Sequence, residues 1–198
     1  GVMIDAPMHG DSAPTFGVLE TASNITPAAN HAGEKDRALC FNNGMARYIL
    51  PFFPETDYTA MAWIRPENLA AKGLQQIFSA WCAPSDDPLR ITLDNGKLHA
   101  RLESKRGGGS TEGIPVKENE WRHVAAVKKG NTLTLYINGI PDTSVSVPEH
   151  PTSNSHEIAF GANPRFSGGE HFHGCISNAL FFARALKEGE MQRYSTIP

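Results

Sequence analysis

The chain is predicted to be all-β: two antiparallel sheets packed as a sandwich, with one short helix near the C-terminus. Three observations predict this. Turn formers, Asn43-Gly44, Asn95-Gly96 and Asn138-Gly139 among them, recur at the roughly 8–12-residue spacing of sandwich strands. Between turns, apolar residues alternate with polar ones. Leu89, Ile91 and Leu93 do so, and Leu98, Ala100 and Leu102 alternate back, so each strand buries one face. Only residues 187–194 read as a helix.

Residues 1–37 hold many turn formers and little periodicity, and short edge strands are expected at 2–8 and 17–21. Ala38-Leu39-Cys40-Phe41 reads as a strand that turns at Asn42-Asn43-Gly44 into a follower over 46–50, because Asn-Gly accepts the positive φ of a tight hairpin. Residues 59–65 are apolar on both faces until Arg65, as in a central strand, and Pro66 ends it. A strand over 75–81 leads into a polar, proline-bounded loop over 82–88. The hairpin over 89–102 turns at Asp94-Asn95-Gly96-Lys97, and 104–113, built around Gly107-Gly108-Gly109, reads as a flexible loop. Lys129-Gly130-Asn131 joins strands over 122–127 and 133–137, and Asn138-Gly139 leads into 140–147. The last strands are expected at 158–161 and 175–182.

At 198 residues the chain suits one undivided β domain, and no linker or internal repeat breaks it over 1–198. About 70% of the unfolded surface can be buried at this size, so a core needs no metal or disulfide. A net charge of −3 without a basic run argues against nucleic acid as a partner. No apolar run approaches the roughly 20 residues of a membrane span, which argues against membrane insertion. The N-terminus has neither a basic n-region nor an apolar h-region, so an export signal would lie outside these residues, and Gly1 is compatible with a tag remnant. Cys40, Cys82 and Cys175 are too scattered for a disulfide framework or zinc knuckle. Cys40 and Cys175 both fall in strands. They are either a disulfide pair or small buried hydrophobes.

Seven motifs occur in a consistent order: Ala38-Leu39-x-Phe41-x-Asn43-Gly44, Ala62-Trp63-Ile64-x-Pro66, Trp121-x-His123-Val124-Ala125, Leu135-Tyr136-x-Asn138-Gly139, Ile158-x-Phe160-Gly161, Phe172-x-Gly174-x-Ile176 and Ala185-Leu186-x-x-x-Glu190-Met191. Together they resemble the laminin-G-like jelly rolls of the concanavalin A-like lectin/glucanase superfamily over about residues 34–192. The resemblance implies a jelly-roll sandwich in a secreted, periplasmic or cell-surface protein, with carbohydrate or a protein as partner. Trp63 and Trp121 read as mid-strand core anchors, and His123 as a satisfied, partly buried histidine. Family members often place Asp after the closing Ile and in an Asp-Gly turn, where these acids help hold calcium. Here those positions are Ser177 and Asn42-Asn43. No cofactor is therefore required, and calcium, with Asp11 and Asn178 as weak candidate ligands, is the one to test.

Glycosidases of this superfamily carry paired acids on one strand, about 5–10 Å apart across the bond they break. The acidic clusters here, at 34–36, 86–87, 118–120 and 188–190, fall in expected loops, turns or the helix, so no catalytic residues are assigned. His171-x-His173 has metal-ligand spacing without a third ligand. A carbohydrate site would combine an aromatic face with planar hydrogen-bonding groups. Trp81 is the leading aromatic, with Asp86, Asp87 and Arg90 close in sequence. Arg165, Phe166 and His171, beside Asn163, form a second rim. The expected function is a non-catalytic, lectin-like binding module of a larger protein. Its rivals are a protein-interaction, adhesion or spacer domain and, behind that, a glycoside hydrolase of the same fold.

Overall fold

The computed structural model describes residues 1–165 and 170–198. Fourteen strands precede one helix: β1 (Val2–Ala6), β2 (Val18–Ala28), β3 (Ala38–Ile49), β4 (Tyr58–Pro66), β5 (Gln75–Ser79), β6 (Asp86–Asp94), β7 (Lys97–Ser104), β8 (Gly107–Ser110), β9 (Ile114–Pro115), β10 (Arg122–Lys129), β11 (Thr132–Ile137), β12 (Ile140–Ser146), β13 (Glu157–Phe160), β14 (Gly174–Phe182) and α1 (Glu188–Tyr194). Every strand pairing is antiparallel.

The strand order β12-β11-β10-β4-β14-β3-β13-β5-β6-β7-β8 runs through both layers because β3 belongs to each. Its first half, Leu39 to Phe41, pairs with β14, and its second half, Ala46 to Ile49, pairs with β13. Strands that switch sheets at a bend form the corners of sandwiches. The bend sits at Asn43, where φ is 52°, and the neighbouring β2 bulges in step at Asn24, also at φ 52°. The Asn24 amide donates to Asn43 O at 3.2 Å and ties the two bulges together. The expected hairpin at Asn42–Gly44 is thus a corner within one long strand. The same Asn-Gly chemistry serves a bulge when a partner strand follows it around. A β-carbon at Gly44 would run into Asn24 O and come within 2.8 Å of Ser23 O, both backbone. Gly44→Ala is expected to cost about 2 kcal/mol, read from denaturant midpoints, and a loss below about 0.5 kcal/mol would show that the corner yields.

Between the layers lies one apolar core. From β4 it takes Tyr58, Ala60, Ala62 and Ile64, and from the second layer Ile77, Phe78, Leu89, Ile91, Leu98, Ala100 and Phe160. β4 is buried on both faces, as a central strand should be, because α1 packs Met191 over Met61, Ala125, Leu180 and Phe182 behind it. Residues 104–113 are not a free loop, since β8 pairs with β7 at four positions. Glycine there serves close packing: a β-carbon on Gly109 would come within 2.8 Å of the Val145 side chain. The α1 entry is closed by Glu190, which accepts from Lys187 N at 2.9 Å and from both Arg184 Nη atoms at 2.9 and 2.7 Å. The Arg184 guanidinium holds the Glu190 carboxyl down to about 2.

Trp63 lies mid-strand in β4 and is buried, as expected, with the His31 ring stacked on it at 3.7 Å. The assignment of Trp121 changes. Trp121 precedes β10 rather than lying within it, half-buried, with Arg65 5.5 Å above its ring. His123, expected to be satisfied, is buried with no partner at Nδ1 among the described residues. Cys40 and Cys175 stand directly opposite in the β3–β14 pairing and form a disulfide.

Candidate functional site

The second layer carries polar residues on the side away from the core on β5, β6 and β7, and on β5 and β6 these residues are themselves buried. Leu89, Ile91 and Leu93 point into the core, so period two sends Arg90 and Thr92 outward. A bulge between Asp87 and Arg90 adds one residue to β6 and brings Asp87 to the Arg90 side. A matching bulge in β5 between Gln76 and Phe78 puts Ile77 and Phe78 in the core together and turns Gln76 and Ser79 to the opposite side, where both are also fully buried. Bulges of this kind re-aim side chains beside functional sites. In register, Gln76 then faces Thr92, and Ser79 faces Arg90.

These groups form a connected network. Thr92 Oγ1 donates to Gln76 Oε1 at 2.8 Å, and Gln76 Nε2 donates to Glu170 Oε2 at 3.0 Å. Ser79 Oγ donates to Asn163 Oδ1 at 2.7 Å, and the Asn163 amide donates to Glu170. Arg90 Nη1 lies 3.9 Å from Glu170, and its guanidinium sits 5.5 Å over the Trp81 ring. Trp81 Nε1 donates to Ala83 O at 2.8 Å, which fixes the indole at the end of the strand.

Asp87, 1% exposed, is the most deeply buried charge of the site. Its Oδ2 lies 2.5 Å from Arg90 Nε, an ion pair in which the N–H is not aimed along the contact. Burial pushes the Asp87 carboxyl up to about 7, with Arg90 and then Arg101 offsetting part of that push. Asp86–Asp87 therefore begins β6 instead of sitting in a loop as expected, because the strand extends through its own bulge.

Of the two rims expected from sequence, Asn163 of the second connects to the first through Ser79 and Glu170. Trp81, Asp87 and Arg90 meet there. Asp86 does not: it accepts from Ser153 Oγ at 2.5 Å and Asn154 N at 2.9 Å, pinning a separate loop. Arg165 donates through Nε to Glu157 Oε2 at 2.9 Å. His171 lies at the margin, its Nδ1 3.3 Å from Gly44 O, and bridges to Gln76 along the backbone. Phe166 lies outside the described residues. Glu170, Gln76, Ser79, Thr92 and Arg101 were not singled out by sequence. Glu170 follows no period, and the β5 bulge that turns the buried Gln76 away from the core is set by pairing with β6.

Calcium asks for about six to eight oxygens. Asp11 Oδ1 instead accepts from Ala13 N at 2.9 Å, and the Asn178 amide donates to Pro198 O at 3.0 Å. The one cluster of three metal-capable side chains among the described residues is Cys40, Glu67 and Cys175, and its sulfurs are joined to each other. The residues present do not fit a calcium ion.

The family model described as the concanavalin A-like lectin/glucanases superfamily, of laminin-G type, matches residues 36–192. Among solved structures, Domain 4 of AbnA, a GH43 extracellular arabinanase from Geobacillus stearothermophilus in complex with arabinotriose, superposes with a TM-score of 0.76 at 16% identity, covering 98% of each chain. The botulinum neurotoxin serotype D binding domain superposes with a TM-score of 0.73 at 13% identity, covering 98% of this chain and 51% of that one. The receptor binding domain of the C/D mosaic serotype gives 0.74 at 13% identity, covering 98% and 50%. This chain thus spans about half the length of the toxin domains it matches. No curated protein sequence matches it.

Proposed function

The chain belongs to the concanavalin A-like lectin/glucanases superfamily, and from that premise we propose that it is a non-catalytic, carbohydrate-binding module of a larger secreted or surface protein. One observation carries the proposal: Gln76, Asn163, Glu170 and Arg90 form one polar network on the side of the second layer away from the core, and half-buried Glu170 and Trp81 are where it reaches the surface. Sugar hydroxyls pair with such groups while the sugar's C–H face packs on aromatic surface. The arabinotriose complex of the similar AbnA domain supports the reading by analogy. The Cys40–Cys175 disulfide supports an oxidising, extracytoplasmic compartment.

Catalysis is disfavoured by position. Asp87 carries the raised pKa expected of a general acid, yet it is 1% exposed and faces Arg90, out of reach of a glycosidic oxygen. A glycan array is expected to give specific binding that survives a chelator. Trp81→Ala and Glu170→Gln should each weaken that binding about tenfold or more, with melting temperatures close to wild type. Full-strength binding by both variants would remove the site from this face.

A second reading rests on a different surface. Phe16, Val18, Ile49 and Phe52 are all exposed and line an apolar groove of about 580 Å³. Such a patch suits a protein-interaction or adhesion module. A blank array with calcium and with chelator would move the function there.

A further inference from the structure

Charge is unevenly spread on the outer face. The whole chain has a net charge of −3, yet β7 and the turn after it carry Lys97, Arg101, Lys105 and Arg106 against the single acid Glu103. Leu98, Ala100 and Leu102 are buried in the core, so Lys97, His99 and Arg101 project outward, on the side of Arg90. Arg101 stands directly opposite Arg90 in the β6–β7 register. Like charges opposed across a strand pair repel. Arg90 is compensated by Asp87 at 2.5 Å and by Glu170 at 3.9 Å. Arg101 makes no ion pair or hydrogen bond among the described residues, and the nearby Asp87 carboxyl is already committed to Arg90.

Arg101 is only half-buried. Its neighbour across β7–β8 is Ser110, in a strand that is otherwise Gly107-Gly108-Gly109 and offers no large side chain. Beside it, His99 Nδ1 lies 2.9 Å from Thr111 O; a carbonyl only accepts, so Nδ1 donates there. A half-buried guanidinium that stands opposite a second one and makes no ion pair of its own among the described residues favours a planar anion. Arg presents a fork that matches a carboxylate with two parallel hydrogen bonds.

Resting on the carbohydrate reading above, we propose that the ligand of this site is an acidic oligosaccharide whose uronate carboxylate seats on Arg101. Its neighbouring sugar units then reach the polar groups around Glu170. The carboxylate supplies the counter-charge that Arg101 lacks, and with it a preference that neutral glycans cannot match.

The test is calorimetric titration of the full chain with oligogalacturonate and with the same oligomer after reduction of its carboxyl groups. Wild type should prefer the acidic form by about tenfold or more, the gain of a charged hydrogen-bonded pair, and added salt should shrink that preference. Arg101→Gln, folded as judged by an unchanged melting temperature, should bind the two forms alike. Equal affinity of wild type for both forms overturns the proposal and leaves the carbohydrate reading standing. So does a preference that Arg101→Gln retains, or that polyphosphate competes away from wild type and variant equally, since the attraction would then be diffuse. Binding confined to neutral glycans on the array also overturns it alone. No glycan binding of any kind overturns both.

Discussion

Reduction of the Cys40–Cys175 disulfide should lower the unfolding free energy by about 3–5 kcal/mol, the largest change expected from any single covalent alteration. The bond joins residues 135 apart in sequence, so it encloses most of the chain. Constraining so long a loop in the unfolded ensemble is worth up to about 5 kcal/mol on chain-entropy grounds, with typical measured values of about 2–4 kcal/mol. The folded side needs little rearrangement when the bond is absent. Cys40 and Cys175 are already opposed by the β3–β14 ladder, and Leu39↔Ile176 and Phe41↔Gly174 hold the register on either side. Arg65 and Glu67, paired at 2.8 Å, cover the bond from outside. The reduced protein should therefore stay folded but weaker. Guanidinium unfolding with and without reductant, beside a Cys40→Ala/Cys175→Ala variant, reads the difference. A shift below about 1 kcal/mol would mean that the unfolded chain is already held compact across this loop.

Sequence revealed most where one strand pair decides its own geometry. The β6–β7 hairpin is legible because both strands bury alternate residues and Asn95-Gly96 adopts the positive φ values, 50° and 74°, that such a turn needs. The identical Asn-Gly signal at Asn43-Gly44 misleads because its meaning depends on β2, whose own bulge at Asn24 lies 19 residues away. Gly107-Gly108-Gly109 looks like loop by composition, and it becomes strand because the β7 edge and the Val145 side chain leave space only for glycine. The candidate site divides in the same way. Trp81, Asp87 and Arg90 stand close in sequence and meet in the fold, whereas Glu170 arrives from a distant segment with no local pattern to announce it.

Two buried groups give stability opposite dependences on pH, and single substitutions should separate them. His123 lies on β10 beside Trp63, with ring centroids 5.6 Å apart, and its Nδ1 has no partner among the described residues. Burial, with His31 adding repulsion, depresses the His123 pKa from 6.5 to about 4. The unfolded chain thus takes up this proton at a higher pH than the folded one. The stability tied to a neutral His123 is present above pH 6.5 and is lost as pH falls toward 4, by about 3 kcal/mol in all. Asp87 runs the other way. Its carboxyl is raised from 3.8 to about 7, so the folded state holds that proton, and the associated stability is present below pH 3.8 and lost as pH rises through 7. The two slopes therefore oppose each other in the wild type between pH 4 and 7. His123→Leu should therefore be a protein whose stability climbs as pH falls across that range, and Asp87→Asn one whose stability drops. Denaturant melts of the three proteins at pH 4, 5.5 and 7 decide the matter. Parallel curves for wild type and His123→Leu would mean that His123 takes up its proton in the folded state as readily as in the unfolded one.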